Sequence, residues 1–156
     1  VELGYENGEQ QVFLNGQNVS AEIRLHVISE YASKVSAVNE VRAFLLNMQR
    51  DIAKHNDIIM DGRDIGTVVL PDANLKIFLT ASAQVRADRR YKELTEKGQN
   101  VNYDDILREI ELRDYQDIHR EIAPLKKADD AVLVDTTKLN LEESIEYMLK
   151  VIRERM

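Results

Sequence analysis

The chain reads as an α/β protein in which helices cover a parallel sheet, and two observations carry that reading. Three short apolar runs bounded by turn residues, 58–60 (IIM), 75–79 (LKIFL) and 131–134 (AVLV), have the length and composition of strands buried on both faces. Helical patterns separate and follow them, giving the order strand, strand, helix, helix, strand, helix, which is the alternation of parallel strands joined by crossover helices. Ligands of such sheets sit beyond the carboxyl ends of the strands.

The elements follow in order. In the first twenty residues QVFLN has strand character and Asn15-Gly16 is a turn signal, so a small hairpin-type unit is expected. From 38 to 55 the residues Val38, Val41, Leu45, Met48 and Ile52 recur at a 3-4-3-4 spacing, which predicts a helix with one apolar face. Helices are further predicted over 82–97, from 102 to about 122, and over 141–155. Asn140 opens the last of these, with Glu143 three residues on as a capping box.

Composition bounds the function. The 156 residues hold 21 Lys plus Arg against 28 Asp plus Glu, a formal charge of −7, with 44% hydrophobic residues and neither Cys nor Trp. That is one ordinary globular domain, or one with a small insert. The negative balance argues against sequence-independent nucleic-acid binding, which needs a clustered positive surface. Without cysteine there is no disulfide or thiolate zinc site, and the cytoplasm is the expected compartment. The opening VELGYENGEQQVFLNGQ lacks the pattern of a signal peptide, and no apolar stretch has the length of a membrane span, so no membrane partner is expected. His26, His55 and His119 are too dispersed to suggest a metal site.

The most informative segment is IIMDGRDIGTVVLPDANLKIFL (58–79), where an apolar run ends in Asp61, Gly62, Arg63, Asp64 and Gly66. Two carboxylates around an arginine, with glycines that allow tight turns, suit a phosphorylated ligand, and a capped turn with a structural ion pair explains them equally. Arg113, Asp117 and Arg120, at i, i+4 and i+7, fall within about 60° of one another on an ideal helix; a solvated salt-bridged stripe is the alternative. Arg86, Arg89 and Arg90 form a third group on the preceding helix. An acidic chain that gathers its guanidinium groups locally points to phosphate handling, because these forks match phosphate oxygens bidentately.

Taken with SKVSAVNEVR (33–42), VRADRRYKEL (85–94) and LRDYQDIHREIAPLKKADDAVLVDTT (112–137), the string MDGRDIGTVVLPDANLKIFL (60–79) resembles the bacterial cytidylate kinases over essentially the whole chain. The resemblance implies a nucleoside monophosphate kinase fold with a phosphate-binding loop, having a parallel sheet flanked by helices and a small antiparallel insert that closes over the acceptor. Residues 1–55 would form that insert and its helices. Residues 56–156 would form the rest of the core, with a lid at about 85–100. The implied reaction moves the γ-phosphoryl group of ATP to CMP or dCMP with Mg²⁺, in a cytoplasmic enzyme that is a monomer when intact.

Position by position, the resemblance implies cytosine reading by Ser33, Arg42 and Asp64, phosphate binding by Arg63, Arg113 and Arg120, and a hold on the sugar hydroxyls by Asp117. Arg86, Arg89 and Arg90 would belong to the mobile lid over the ATP phosphates, and Asp61 would be a magnesium-organising acid. The Asp135-Thr136-Thr137 turn matches a loop near the adenine of ATP, and a strand-ending cap explains it equally.

One departure stands out, because the G-x-x-x-x-G-K-[ST] loop that grips ATP phosphates is absent from these residues. The chain is therefore expected to correspond to the carboxyl-terminal portion of such an enzyme, starting within the insert, without the first strand and its loop, inactive and poorly folded on its own. A partner-stabilised fragment and a CMP-binding or regulatory relative that has lost phosphoryl transfer are the other readings.

Overall fold

The computed structural model describes residues 1–36 and 38–155, without the side chains of His26, Ser29, Glu30 and Ser33. The chain divides into two compact units, Val1–Met48 and Gln49–Met156, and the dividing line falls inside a helix, ahead of the 55/56 boundary expected from the sequence.

The first unit opens with strands β1 (Glu2–Glu6), β2 (Glu9–Leu14) and β3 (Gln17–Asn18), an antiparallel sheet in that order. Two two-residue turns set its register: Asn7-Gly8 (φ 53° and 81°) and Asn15-Gly16 (φ 52° and 79°) take left-handed backbone. Asn-Gly pairs adopt this at little steric cost, and its twist suits a hairpin. Buried Ser20 secures the third strand, donating from Oγ to Asn18 Oδ1 (2.6 Å) while accepting from the Val12 N–H (2.9 Å). Helix α1 (His26–Ser36) follows, in addition to the elements expected from the sequence. Helix α2 (Asn39–His55) realises the predicted 38–55 span, one residue shorter at its start.

In the second unit, β4 (Ile77–Thr80) and β5 (Val132–Asp135) pair in parallel, with Leu79 opposite Val134. Both lie slightly downstream of the predicted 75–79 and 131–134. The predicted strand at 58–60 is not one: Ile58–Met60 has no regular structure, and the only sheet partners among the described residues of this unit are β4 and β5. An apolar run becomes a strand only where a neighbour completes the hydrogen-bond ladder, and Ile59 here is 99% exposed.

Helices α3 (Ala83–Glu96) and α4 (Tyr103–His119) form the crossover between the two parallel strands. They pack through Ala87, Leu94 and Ile106, with an edge-to-face pair between Tyr91 and Tyr103 (5.9 Å). Their starts are capped by side chains: Ser82 Oγ accepts from Val85 N–H (3.3 Å), and Asn102 Oδ1 accepts from Asp104 and Asp105 N–H (2.8 and 3.2 Å). Gly98, at φ 74°, turns the chain after α3. Helix α5 (Leu141–Arg155) opens with the predicted capping box, Asn140 N–H donating to Glu143 Oε2 and Glu143 N–H to Asn140 Oδ1 (2.8 and 2.9 Å).

Beyond β5, the Thr137 hydroxyl and N–H both donate to the exposed Asp135 carboxylate (2.6 and 2.8 Å), and these hydrogen bonds hold its pKa below the ordinary value. The stability this contributes is present at neutral pH and lost as pH falls from about 4 through the lowered value. Thr137→Val also strands the Ser82 N–H that Thr137 Oγ accepts (3.0 Å), a loss independent of pH. Urea unfolding at pH 7 and pH 3 is expected to show the variant's deficit shrinking at the lower pH, and NMR titration to show the Asp135 pKa rising toward its ordinary value.

Candidate functional site

Asp61 to Asp64 follow the apolar run and precede a single wide turn, Ile65–Val69. Its geometry comes from the backbone: the Asp64 carbonyl accepts from the N–H groups of Val68 (2.8 Å), Val69 (3.2 Å) and Thr67 (3.4 Å), and Leu70 N–H reaches back to Ile65 O (2.7 Å). An i to i+5 turn of this kind is often found at functional sites. Glycine is required at position 62, where a Cβ would stand 2.9 Å from Ile65 Cγ1.

This turn presents Arg63 and Asp64 to the end of α4. Arg63 Nε donates to Asp117 Oδ2 (2.7 Å), and Arg120 Nη2 lies 3.5 Å from Asp64 Oδ1. Two oppositely directed ion pairs thus join segments more than fifty residues apart. Both carboxylates are buried, Asp64 at 9% and Asp117 at 8% exposure.

Arg120 is not on the helical face predicted for it. Helix α4 ends at His119, and Arg120 is its C-cap with extended backbone (φ −62°, ψ 141°). The chain reverses there through Ala123 (φ 48°), Leu125 N–H donates to the Asp117 carbonyl (2.7 Å), and Arg120 Nε donates to Ala123 O (2.6 Å). Arg120 reaches the site through this reversal, which helical spacing does not encode. Its Nη2 is buried and, apart from the 3.5 Å ion pair with Asp64, makes no hydrogen bond among the described residues.

Arg113 is one helical turn before Asp117, exposed and without a hydrogen bond or ion pair among the described residues. Arg63 (+1), Arg113 (+1) and Arg120 (+1) against Asp64 (−1) and Asp117 (−1) leave a formal charge of +1 in an acidic chain. Such a set suits an anion that also carries neutral hydrogen-bonding groups.

The third arginine group is committed internally. Arg86 forks onto Asp114 of α4, Nη1 to Oδ1 (2.9 Å) and Nη2 to Oδ2, while Nε donates to Ala81 O (3.1 Å). The bond to Asp114 raises the Arg86 pKa despite partial burial. Arg89 Nη2 donates to Thr136 O (2.7 Å) and Leu139 O (3.0 Å). Arg90 pairs with Glu93 (2.9 Å), whose carboxylate Lys97 and Arg90 together hold below its usual range. A cavity of about 490 Å³ lies beside Arg89 and Thr136, walled mainly by apolar side chains of β4 and α5.

In the other unit, Arg42 Nη1 donates to Ser36 O (3.2 Å), and the Ser33 side chain lies outside the described residues. Asp61 is exposed, and among the described residues no three His, Cys, Asp or Glu side chains gather to hold a metal ion. One exposed carboxylate fits Mg²⁺ held chiefly by water and substrate phosphates rather than by a protein cage. No described helix is long and apolar enough to cross a membrane.

Two contributors escaped the sequence reading. Asp114 sits inside the quoted 112–137 stretch, and its spacing from Arg86 carries no local signal. Arg50, on α2, donates Nε to Val69 O (3.0 Å) and Nη2 to Val68 O (2.7 Å), and its acceptors are backbone atoms that no sequence pattern marks.

Parallel strands joined by crossover helices, and guanidinium groups gathered with carboxylates beyond the apolar run at 58–60, make an α/β protein whose charges suit a phosphorylated ligand. Comparison with known proteins makes this specific. The cytidylate kinase family model matches residues 1–154. The cytidylate kinase of Thermosipho melanesiensis is 54% identical over 99% of this chain and 70% of its own length. That of Lactobacillus johnsonii is 48% identical over 99% and 67%, and that of Pasteurella multocida 49% identical over 96% and 66%. The chain belongs to the cytidylate kinase family, whose fold is that of the nucleoside monophosphate kinases.

Asp114→Asn removes the charge that anchors the Arg86 fork between α3 and α4. The pair is about one-third exposed, so urea unfolding is expected to report a loss of only about 1 kcal/mol.

Proposed function

We propose that this chain supplies the acceptor-nucleotide side of an enzyme that moves the γ-phosphoryl group of ATP to CMP or dCMP, giving CDP or dCDP. The observation that carries the reading is the meeting of Arg63, Asp64, Asp117 and Arg120 through two ion pairs. Family membership supports the substrate class.

In this reading Asp64, with Ser33 and Arg42, accepts and donates hydrogen bonds at the cytosine edge. Uracil mispairs there and leaves a buried polar group unmatched. Asp117 accepts from the sugar hydroxyls. Arg63, Arg113 and Arg120 bind the acceptor phosphate and neutralise charge that builds during transfer. The Arg120 Nη2 that lacks an acceptor is a ready donor for that phosphate.

Arg86, Arg89 and Arg90 act from the donor side, exchanging their present carboxylate and carbonyl acceptors for phosphate oxygens as a lid at about 85–100 closes and excludes water. Thr136 and the cavity beside it suit the adenine end of ATP. Asp61 would hold Mg²⁺ through water, and the ion supplies charge neutralisation between the phosphates. Residues 1–55 serve as the acceptor-binding insert with its helices and 56–156 as the core of a cytoplasmic, monomeric enzyme.

The reading requires a grip on the donor phosphates, and the G-x-x-x-x-G-K-[ST] loop is absent from residues 1–156, so by themselves they are expected to make no CDP. The alternative reading is a CMP-binding or regulatory protein. Calorimetric titration with CMP and ATP, together with an assay for CDP, on the product of the complete gene separates the two. Phosphoryl transfer requires ATP binding and CDP, whereas CMP binding alone identifies the sensor.

Two variants test the residue roles. Asp64→Ala is expected to weaken CMP binding far more than it lowers Tm, and equal losses would mark a structural turn. Arg120→Lys replaces a fork with a point charge and is expected to cut turnover by about tenfold or more, as for removal of a charge-assisted contact to the transferring group; unchanged turnover would remove Arg120 from the site.

A further inference from the structure

The hydrogen bonds of Arg50 among the described residues go to none of the side chains assigned above to the acceptor nucleotide, yet it holds the turn that carries one of them. The wide turn Ile65–Val69 is anchored at its start by the Asp64 carbonyl, which receives three N–H groups. At its end the carbonyls of Val68 and Val69 have left the ladder, and helix-end carbonyls need outside donors. Arg50 supplies both donors from one guanidinium, Nη2 to Val68 O (2.7 Å) and Nε to Val69 O (3.0 Å). A planar fork that meets two successive carbonyls fixes orientation as well as distance. The turn is thereby clamped at both ends, and Asp64 is the residue at its N-cap, with its carboxylate directed to Arg120.

We propose that Arg50 is a positioning residue for selection of the acceptor base: it aims the Asp64 carboxylate by bracing the turn behind it. The inference rests on the reading of Asp64 as a cytosine-recognising group. Loss of the fork leaves Asp64 chemically intact but lets its turn relax, so discrimination between two nearly isosteric bases suffers more than attraction for their common phosphate. Base discrimination depends on hydrogen-bond geometry at a single edge, whereas attraction of a phosphate to guanidinium charge falls off gradually with distance.

The test uses the product of the complete gene, with CMP and UMP as titrants, in wild type, Arg50→Lys and Arg50→Met. Wild type is expected to prefer CMP. Arg50→Met is expected to narrow the CMP-over-UMP affinity ratio by about tenfold, chiefly through weaker CMP binding. Arg50→Lys, whose ammonium reaches one carbonyl but does not fork onto two, is expected to fall between. Faster amide hydrogen exchange at Val68, Val69 and Leu70 should accompany the narrowing. A folded variant with a lower Tm and an unchanged ratio would overturn the positioning role while leaving the reading of Asp64 intact. A wild type that does not distinguish CMP from UMP would overturn the reading of Asp64, and the role of Arg50 with it.

Discussion

The site depends on a reciprocal exchange of charge between a turn and a helix end. Arg63 binds Asp117 while Asp64 faces Arg120, so each segment presents one cation and one anion to the other. Neither segment would bury its carboxylate without the partner's guanidinium group beside it, since an uncompensated buried charge is costly. The exchange is not saturated: Arg63 meets Asp117 through Nε, and the buried Arg120 Nη2 faces Asp64 at 3.5 Å, an ion pair without a hydrogen bond among the described residues.

This arrangement explains how an acidic protein can gather guanidinium groups in one place. The carboxylates hold them and keep the local surplus of charge small, so the arginines sit together without strong mutual repulsion. The three arginines of α3 are held in a different way, on acceptors within their own unit: Asp114 for Arg86, the Thr136 carbonyl for Arg89 and Glu93 for Arg90.

Much of the second unit was legible because its signals are local. Ser82, Asn102 and the Asn140–Glu143 box act within three residues of themselves, and all three helices begin within one residue of the expected starts. Asn15-Gly16 was equally plain, while Asn7-Gly8, the same device, was overlooked. The run 58–60 misled because apolar composition describes burial and not pairing, and a strand exists only with a neighbour beside it. Arg120 misled for a related reason: periodicity extends a helix until some contact stops it, and here the stop is a reversal through Ala123.

By itself the sequence determined two of the three expected parallel strands, the helices that join and follow them, the Asn140–Glu143 box and the residue types suited to phosphate, because each follows from interactions spanning a few positions along the chain. Tertiary structure alone decided which of those charges meet. The partners of Arg63, Arg86 and Arg89 lie 54, 28 and 47 to 50 residues away, and those of Arg50 are carbonyl oxygens that every residue possesses. Contacts of that range depend on how the backbone turns in space, and side-chain identity contains no record of it until the chain has folded.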